Sequence, residues 1–376
     1  MNGGIFVLKN IDRKYLILLG TIVGLVVLLF IVIFALSSCS GQNMSYKEIE
    51  TKMVKSATDY YSKNEKELPK KDGSTVRISL DKLINHGNMS DISNKLDEGV
   101  SCKGEVNVTN NNDNYIYLPY LDCGKNYKTE KLSEKIIEQD EMNEVGEGLY
   151  ESDEEEDEYI FRGENVNNYV EFASKIWRII KIKEDGSIKI IASDSAERKQ
   201  WDDRYNVEKK FTSGINDYSV SRLKDYLQSL YRDDEYFTNS DRSMITTQDL
   251  CIGHRSEEST AKDESLECST TFEEQQLGLL QINEFMLPSL DDNCHAVTDK
   301  SCANYNYLAK FKRSYWTLTA DSTNSYNVYN IDGSAKIRQA GATSGVNPVL
   351  VLTKNLVFDS GKGTLEEPYK IKNFTK

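Results

Sequence analysis

The chain has 376 residues, with 46 Lys and Arg against 60 Asp and Glu, giving a formal net charge of −14. That sign argues against nucleic acid or an anionic surface as the main partner. Hydrophobic residues make up 39 % of the chain and include 22 Tyr, 12 Phe and 3 Trp, which excludes wholesale disorder and provides for two packed cores.

Residues 15–36, from Tyr15 to Leu36, contain no charged side chain. A helix rising about 1.5 Å per residue crosses a hydrocarbon core of ~30 Å over such a length, and only a helix satisfies a single backbone segment there. Lys9, Arg13 and Lys14 precede the run, and the next basic residue is Lys47. The positive-inside bias therefore assigns residues 1–14 to a cytoplasmic tail, residues 15–36 to a transmembrane helix, and the bulk to the outside. Leu36-Ser-Ser-Cys39 resembles a bacterial lipobox, in which the cysteine is lipidated and the preceding segment removed. The apolar run is longer than a signal-peptide core, which favours the retained helix. Both readings leave a cell-membrane protein with an extracytoplasmic body.

Beyond Cys39 the six cysteines fall into close pairs, Cys102/Cys123, Cys251/Cys268 and Cys294/Cys302. Outside the cytoplasm an even count implies disulfides, and nearest-neighbour pairing is the simplest connectivity. No CxxC or HxxxH spacing accompanies them, so no metal or other cofactor is expected.

In chain order, Ser45-Tyr-Lys-Glu48 predicts a capping box ahead of Ile49, Met53, Ala57, Tyr60 and Tyr61 at helical spacing. Ser79 to Gly87 predicts a short helix with a serine cap and a glycine stop. Cys102–Val108 and Tyr115–Leu121 predict a hairpin whose open ends the first cysteine pair would tie. From 131 to 158 the chain turns polar and ends in Glu151-Ser-Asp-Glu-Glu-Glu-Asp-Glu158, which predicts an extended acidic linker.

Beyond it, Trp177–Lys183 and Ser187–Ala192 flank Asp185-Gly186, a hairpin with its tight-turn residues in place. Val220, Leu223, Leu227 and Leu230 predict a helix capped by Ser219. Further strands are expected at Leu277–Ile282, Ser314–Ala320, Tyr326–Ile331, Ala335–Ala340 and Val346–Leu352. The stretch 247–276 reads as a long loop stapled by Cys251–Cys268. Trp177 and Trp316 lie in these strands and are expected in the core. Trp201 stands in Lys199-Gln-Trp-Asp-Asp203 with Tyr205 near, and these two are the expected surface-contact residues.

The order of several motifs carries a resemblance. Asn167-Asn-Tyr-Val-Glu-Phe172, Trp177-Arg-Ile-Ile180, Ser221-Arg-Leu-Lys-Asp-Tyr-Leu227, Gly278-Leu-Leu-Gln-Ile-Asn-Glu284, Tyr315-Trp-Thr-Leu-Thr319, Asn347-Pro-Val-Leu350 and Gly361-Lys-Gly-Thr-Leu-Glu-Glu-Pro-Tyr369 follow one another. Together they resemble a family of bacterial surface proteins whose C-terminal domain is similar to C-type lectins and formylglycine-generating enzymes. The resemblance implies a C-type-lectin-like α+β domain over 159–373. It brings no chemistry with it: no cysteine follows Cys302 to bind copper, and Asn347-Pro348 and Glu367-Pro368 lack the following Asn or Asp of calcium-dependent sugar loops. Residues 44–130, one helix on a small sheet after a membrane segment, resemble the plan of pilins, without the prepilin peptidase site.

No serine–histidine–carboxylate or free-thiolate arrangement is marked, nor a P-loop or GxGxxG. The leading expectation is a non-catalytic binding or display module whose partner is an extracellular protein, glycan or wall polymer. The alternatives are an extracytoplasmic enzyme with a carboxylate-based site in its C-terminal domain, and a pilin-like structural subunit. Perturbed carboxylates in a deep pocket would favour the enzyme; loops dotted with aromatic residues would favour binding.

Overall fold

A computed structural model describes residues 43–111, 114–139, 145–152, 157–372 and 374. The expected membrane segment 15–36 and Cys39 lie outside these residues. Among the described residues no helix is long and apolar enough to cross a membrane. The architecture is α+β, several largely antiparallel sheets with few helices.

The helix Tyr46–Tyr61 starts at the expected capping box: Ser45 accepts from the Glu48 amide and the Glu48 carboxylate accepts from the Ser45 amide. Its apolar stripe Ile49, Met53, Ala57, Tyr60 and Tyr61 is buried against the three-stranded antiparallel sheet Thr75–Ser79, Lys103–Asn111 and Asn114–Asp122. Ser79 caps the short helix Leu80–Asn85, and Cys102–Cys123 joins the open ends of the hairpin as expected. The hairpin strands run further than the sequence predicts, to Asn111 and from Asn114, because asparagines there stay in the ladder. Along Asn114–Asp122 the side chains alternate with the strand period of two. Tyr115, Tyr117 and Leu121 face the helix, while Ile116, Leu118 and Tyr120 turn away and meet Val357 of the second half.

The described parts of the segment expected to be an acidic linker, 131–139, 145–152 and 157–158, are built into the fold. Leu132–Gln139 is a helix whose Leu132 and Ile136 enter the main core, and Gly148–Glu151 pairs antiparallel with Tyr159–Arg162. Two apolar residues four apart on one helical face outweigh the polar majority around them. The Leu132 amide donates to the Leu356 carbonyl (2.7 Å), Asn111 Nδ2 donates to the Ser243 and Ile245 carbonyls (2.6 and 2.9 Å), and Tyr120 donates to the Asn355 carbonyl (2.7 Å). A buried Lys372–Glu50 ion pair, with Tyr127 and Thr129 hydroxyls also on Glu50, completes the contact.

Residues 148–372 share one core between two sheets. The larger sheet runs Ile245–Thr246, Val349–Leu352, Ile188–Ala192, Lys175–Ile182, Tyr169–Phe172, Tyr369–Ile371 and Phe358–Ser360; Tyr159–Arg162 also pairs with Lys175–Ile182. The other runs Ala335–Gln339, Asn327–Ile331, Tyr315–Asp321, Thr343–Val346 and Glu197–Gln200, with His254–Arg255 parallel to Tyr315–Asp321. Gly186 takes φ +81° in the expected Asp-Gly turn. Trp177 and Trp316 are fully buried, as expected.

Three local expectations differ. The cap of Arg222–Arg232 is Ser221, not Ser219, because Asp217 binds the Ser219 amide and holds Tyr218–Val220 in a 3₁₀ turn; Val220 is left outside. Leu277–Ile282 forms only the single bridge Gly278–Val349 before the helix Ile282–Met286 begins, whose Glu284 carboxylate accepts from the Gln281 amide. Val346–Leu352 breaks at Pro348, which has no amide to donate to a ladder, into Thr343–Val346 and Val349–Leu352.

Candidate functional site

Two surfaces of the C-terminal domain combine fixed geometry with groups that have something left to bind. The first is the loop after strand Glu197–Gln200. That strand pairs with Thr343–Val346, and the Trp201 amide continues the line by donating to the Ala340 carbonyl (2.9 Å). Trp201 is thereby turned inward: it is 0 % exposed, its indole donates to the Thr317 carbonyl (3.1 Å), and it packs edge-on to Tyr218. It is not a surface-contact residue; its polar neighbours in the sequence concealed a core aromatic whose single donor finds a backbone acceptor.

The loop itself is tied from within. The buried Asp202 carboxylate accepts from Arg204 Nε (2.9 Å), the Ile215 amide (2.8 Å) and the Arg222 amide (3.2 Å). Asn206 donates through Nδ2 to the Gly214 and Ser325 carbonyls (both 3.0 Å), and its amide donates to the Phe211 carbonyl (2.8 Å). Gly214, at φ +81°, admits the chain where a Cβ would strike the Asp202 carbonyl. Asp202 and Asn206 turn inward, and the tip presents apolar side chains beside the exposed Glu208, Lys209 and Lys210: Tyr205 is 56 % exposed, Phe211 65 % and Val207 81 %. Tyr205 is therefore on the surface, where the sequence put it. Val207 and Phe211 were missed, since Tyr205-Asn-Val-Glu-Lys-Lys-Phe211 has neither helical nor strand periodicity.

The second surface is a cleft of about 530 Å³ lined by Glu158, Lys181, Lys183, Asp185, Gln248, Glu264 and their neighbours. Its floor includes Thr246, Val351 and Lys181, which with Lys189 and Ile160 make one cross-strand row of the larger sheet. One wall is the stretch 247–276. Instead of an irregular loop this contains a small two-stranded sheet, Gln248–Cys251 with Thr271–Gln275, closed by the expected Cys251–Cys268 disulfide. Inside it Arg255 and Glu267, both fully buried, form a two-pronged ion pair (2.8 and 2.7 Å). Cys294–Cys302 closes the third expected bridge elsewhere. All six sulfurs are thus committed, as neither nucleophiles nor metal ligands.

Charges in the floor are paired with care. Lys181 bonds Glu158 at 2.7 Å and Lys189 pairs with Glu284. Burial alone would raise the Glu284 carboxyl, but Lys189 and Lys181 outweigh it and hold it below the ordinary range. Asp185 is likewise held low, burial being offset by hydrogen bonds from Ser187. Lys183, one pleat beyond Lys181, forms no ion pair among the described residues. Burial, with Lys189 and Lys181 beside it, depresses its ammonium. Gln248 Nε2 is buried in the same wall without an acceptor. Both displaced carboxyls are therefore ionised, the reverse of what a general acid needs, and the cleft is equipped to bind charge.

The acidic tract gave no hint that Glu158 is a structural counter-ion, and the alternation Lys181/Lys183 was hidden within an apolar strand. No protein-family model, no curated protein and no solved structure matches the chain.

Proposed function

We propose that the chain is a membrane-anchored extracytoplasmic protein that binds a protein partner through the Asp202–Gly214 loop and does not act as an enzyme. The observation that carries this is the exposure of Tyr205, Val207 and Phe211 at the tip of a loop braced from within by the Asp202 carboxylate and the Asn206 amide. A rigid loop loses little entropy on binding, and aromatic anchors beside pocket-filling aliphatics typify the centre of a protein interface. Lys209 and Lys210 flank them, which favours a partner whose apolar pocket is rimmed by carboxylates. A glycan would prefer flat aromatic platforms to the protruding valine. The charge-free run 15–36, or a lipid on Cys39, supplies the attachment, and the ordered motifs of 159–373 support a C-type-lectin-like display domain, in which loops carry recognition on a scaffold.

The test is photo-crosslinking from position 211 in the full chain on intact cells. A discrete protein adduct is expected, lost or weakened at least about 30-fold when Tyr205→Ser and Val207→Ser are added. Equal crosslinking by both forms would overturn the proposal. The enzymatic alternative receives less support, because the displaced carboxyls at the cleft are held low rather than raised.

A further inference from the structure

The cleft under the Cys251–Cys268 wall is independent of the loop just discussed, and its unmet groups specify a ligand. Lys181 and Lys183 line the cavity and Lys189 stands beside Lys181 in the sheet; Lys181 is paired with Glu158 and Lys189 with Glu284. Lys183 is the remaining cation, at the wall of the open cavity rather than beneath it. Leaving an amine half-buried without a counter-ion is costly, and burying the Gln248 amide donor without an acceptor adds to that cost. Both unmet groups are donors, so both are answered by anionic oxygen.

A simple anion is nevertheless a poor fit. The exposed side chains around the cavity are acidic, Glu184, Asp185, Asp249 and Glu264, so the mouth repels a polyanion. Asp249 has one carboxylate oxygen on the Glu274 amide, and Asp185 is occupied by Ser187, whereas Glu264 has no ion-pair partner among the described residues. The volume, about 530 Å³, suits a ligand larger than an ion and smaller than a folded segment. One ammonium without an ion-pair partner among the described residues and carboxylates at the mouth line the same cavity.

We propose that this cleft binds a small zwitterion, an amino acid or short peptide, whose carboxylate is taken by Lys183 and Gln248 and whose ammonium is taken by Glu264 and Asp249. The ligand carboxylate would give Lys183 the ion-pair partner it lacks among the described residues. Thr246, Thr247 and Ser187 supply neutral hydrogen-bonding groups for the atoms between.

Titration calorimetry on the full chain in detergent micelles separates the terms, with glycine, triglycine, N-acetyltriglycine and triglycine amide as probes. Triglycine is expected to bind saturably, and capping either end is expected to weaken it at least about tenfold. Tighter binding of glycine than of triglycine would assign the site to free amino acids, and the reverse to peptides. Lys183→Met should make triglycine and its amide equally weak while leaving the preference for a free amine. Glu264→Gln should erase the preference for a free amine and leave that for the carboxylate. Both positions are on the cavity lining, so unchanged thermal midpoints without ligand verify the fold. Absence of saturable binding by every probe, or equal binding of capped and uncapped forms, would overturn the proposal. The Tyr205→Ser/Val207→Ser variant is expected to bind triglycine normally, which keeps failure here distinct from failure of the loop proposal.

Discussion

The two irregular excursions of the C-terminal domain are held in different ways. The stretch 247–276 is fastened by a disulfide and by the Arg255–Glu267 pair, whose guanidinium also reaches Ser259 Oγ and the Ala261 and Asp263 carbonyls. Asp202–Gly214 has no staple, and its ion pair, the buried Asp202 carboxylate with Arg204, leaves the guanidinium partly in solvent. It is held by a carboxylate and an amide that collect backbone groups. The first arrangement spends its charges internally and forms a wall. The second uses Asp202 and Asn206 at the loop base and Glu208, which accepts from Ser325, and leaves Tyr205, Val207 and Phe211 exposed. Exposed Phe and Val persist there because nothing structural is asked of them.

The sharpest way to break this contrast is to unpair the buried ion pair. Glu267→Ala leaves a buried guanidinium without its carboxylate and should cost about 3–5 kcal/mol in urea unfolding of the full chain, whereas Arg255→Met with Glu267→Leu should recover most of it. Recovery of nothing would mean that the guanidinium's carbonyl contacts, not the pair, hold the wall. Cys251→Ser with Cys268→Ser, bridging a separation of 17 residues, should cost about 3 kcal/mol in the same assay. In the other loop, Asn206→Ala should cost about 1–3 kcal/mol, since the Gly214 and Ser325 carbonyls lose their donor.

A pH dependence tests the floor beneath the wall. Glu284 is held below its ordinary value of 4.5 in the folded state, so the unfolded chain takes up this proton first. The associated stability is present above pH 4.5 and is lost as pH falls toward the folded-state value. Glu284→Gln should be less stable at neutral pH and show a shallower loss below 4.5 in acid titrations followed by near-ultraviolet circular dichroism. The smallest effect is expected at the loop tip. Tyr205→Ser, Val207→Ser and Phe211→Ser together should shift unfolding by no more than about 0.5 kcal/mol, the range for exposed sites. A larger loss would show that the tip packs against something structural after all.

Elements with local signals are those the sequence reads well. The Ser45 and Ser79 caps, the Asp-Gly turn, the helix stripe at Ile49 and the three cysteine pairs each depend on residues within a few positions or on a simple pairing rule. Long-range choices were not legible. Trp201 looks exposed among Lys, Gln and Asp until a strand edge some 140 residues later receives it at Ala340. Glu158 looks like the end of a solvated tract until Lys181 is placed opposite. The cleft is the meeting of strand rows and a stapled wall, and no single stretch carries its signature.

The outward stripe Ile116, Leu118 and Tyr120 has a mechanical consequence. With Glu50 of the first helix clasped to Lys372, and Lys372 following the strand Tyr369–Ile371 that lies parallel to Tyr169–Phe172, the two halves are joined by an ion pair as well as an apolar seam. Separating the halves would unpair Glu50 from Lys372 and expose Ile116, Leu118 and Val357, making the junction a coupling and not a swivel.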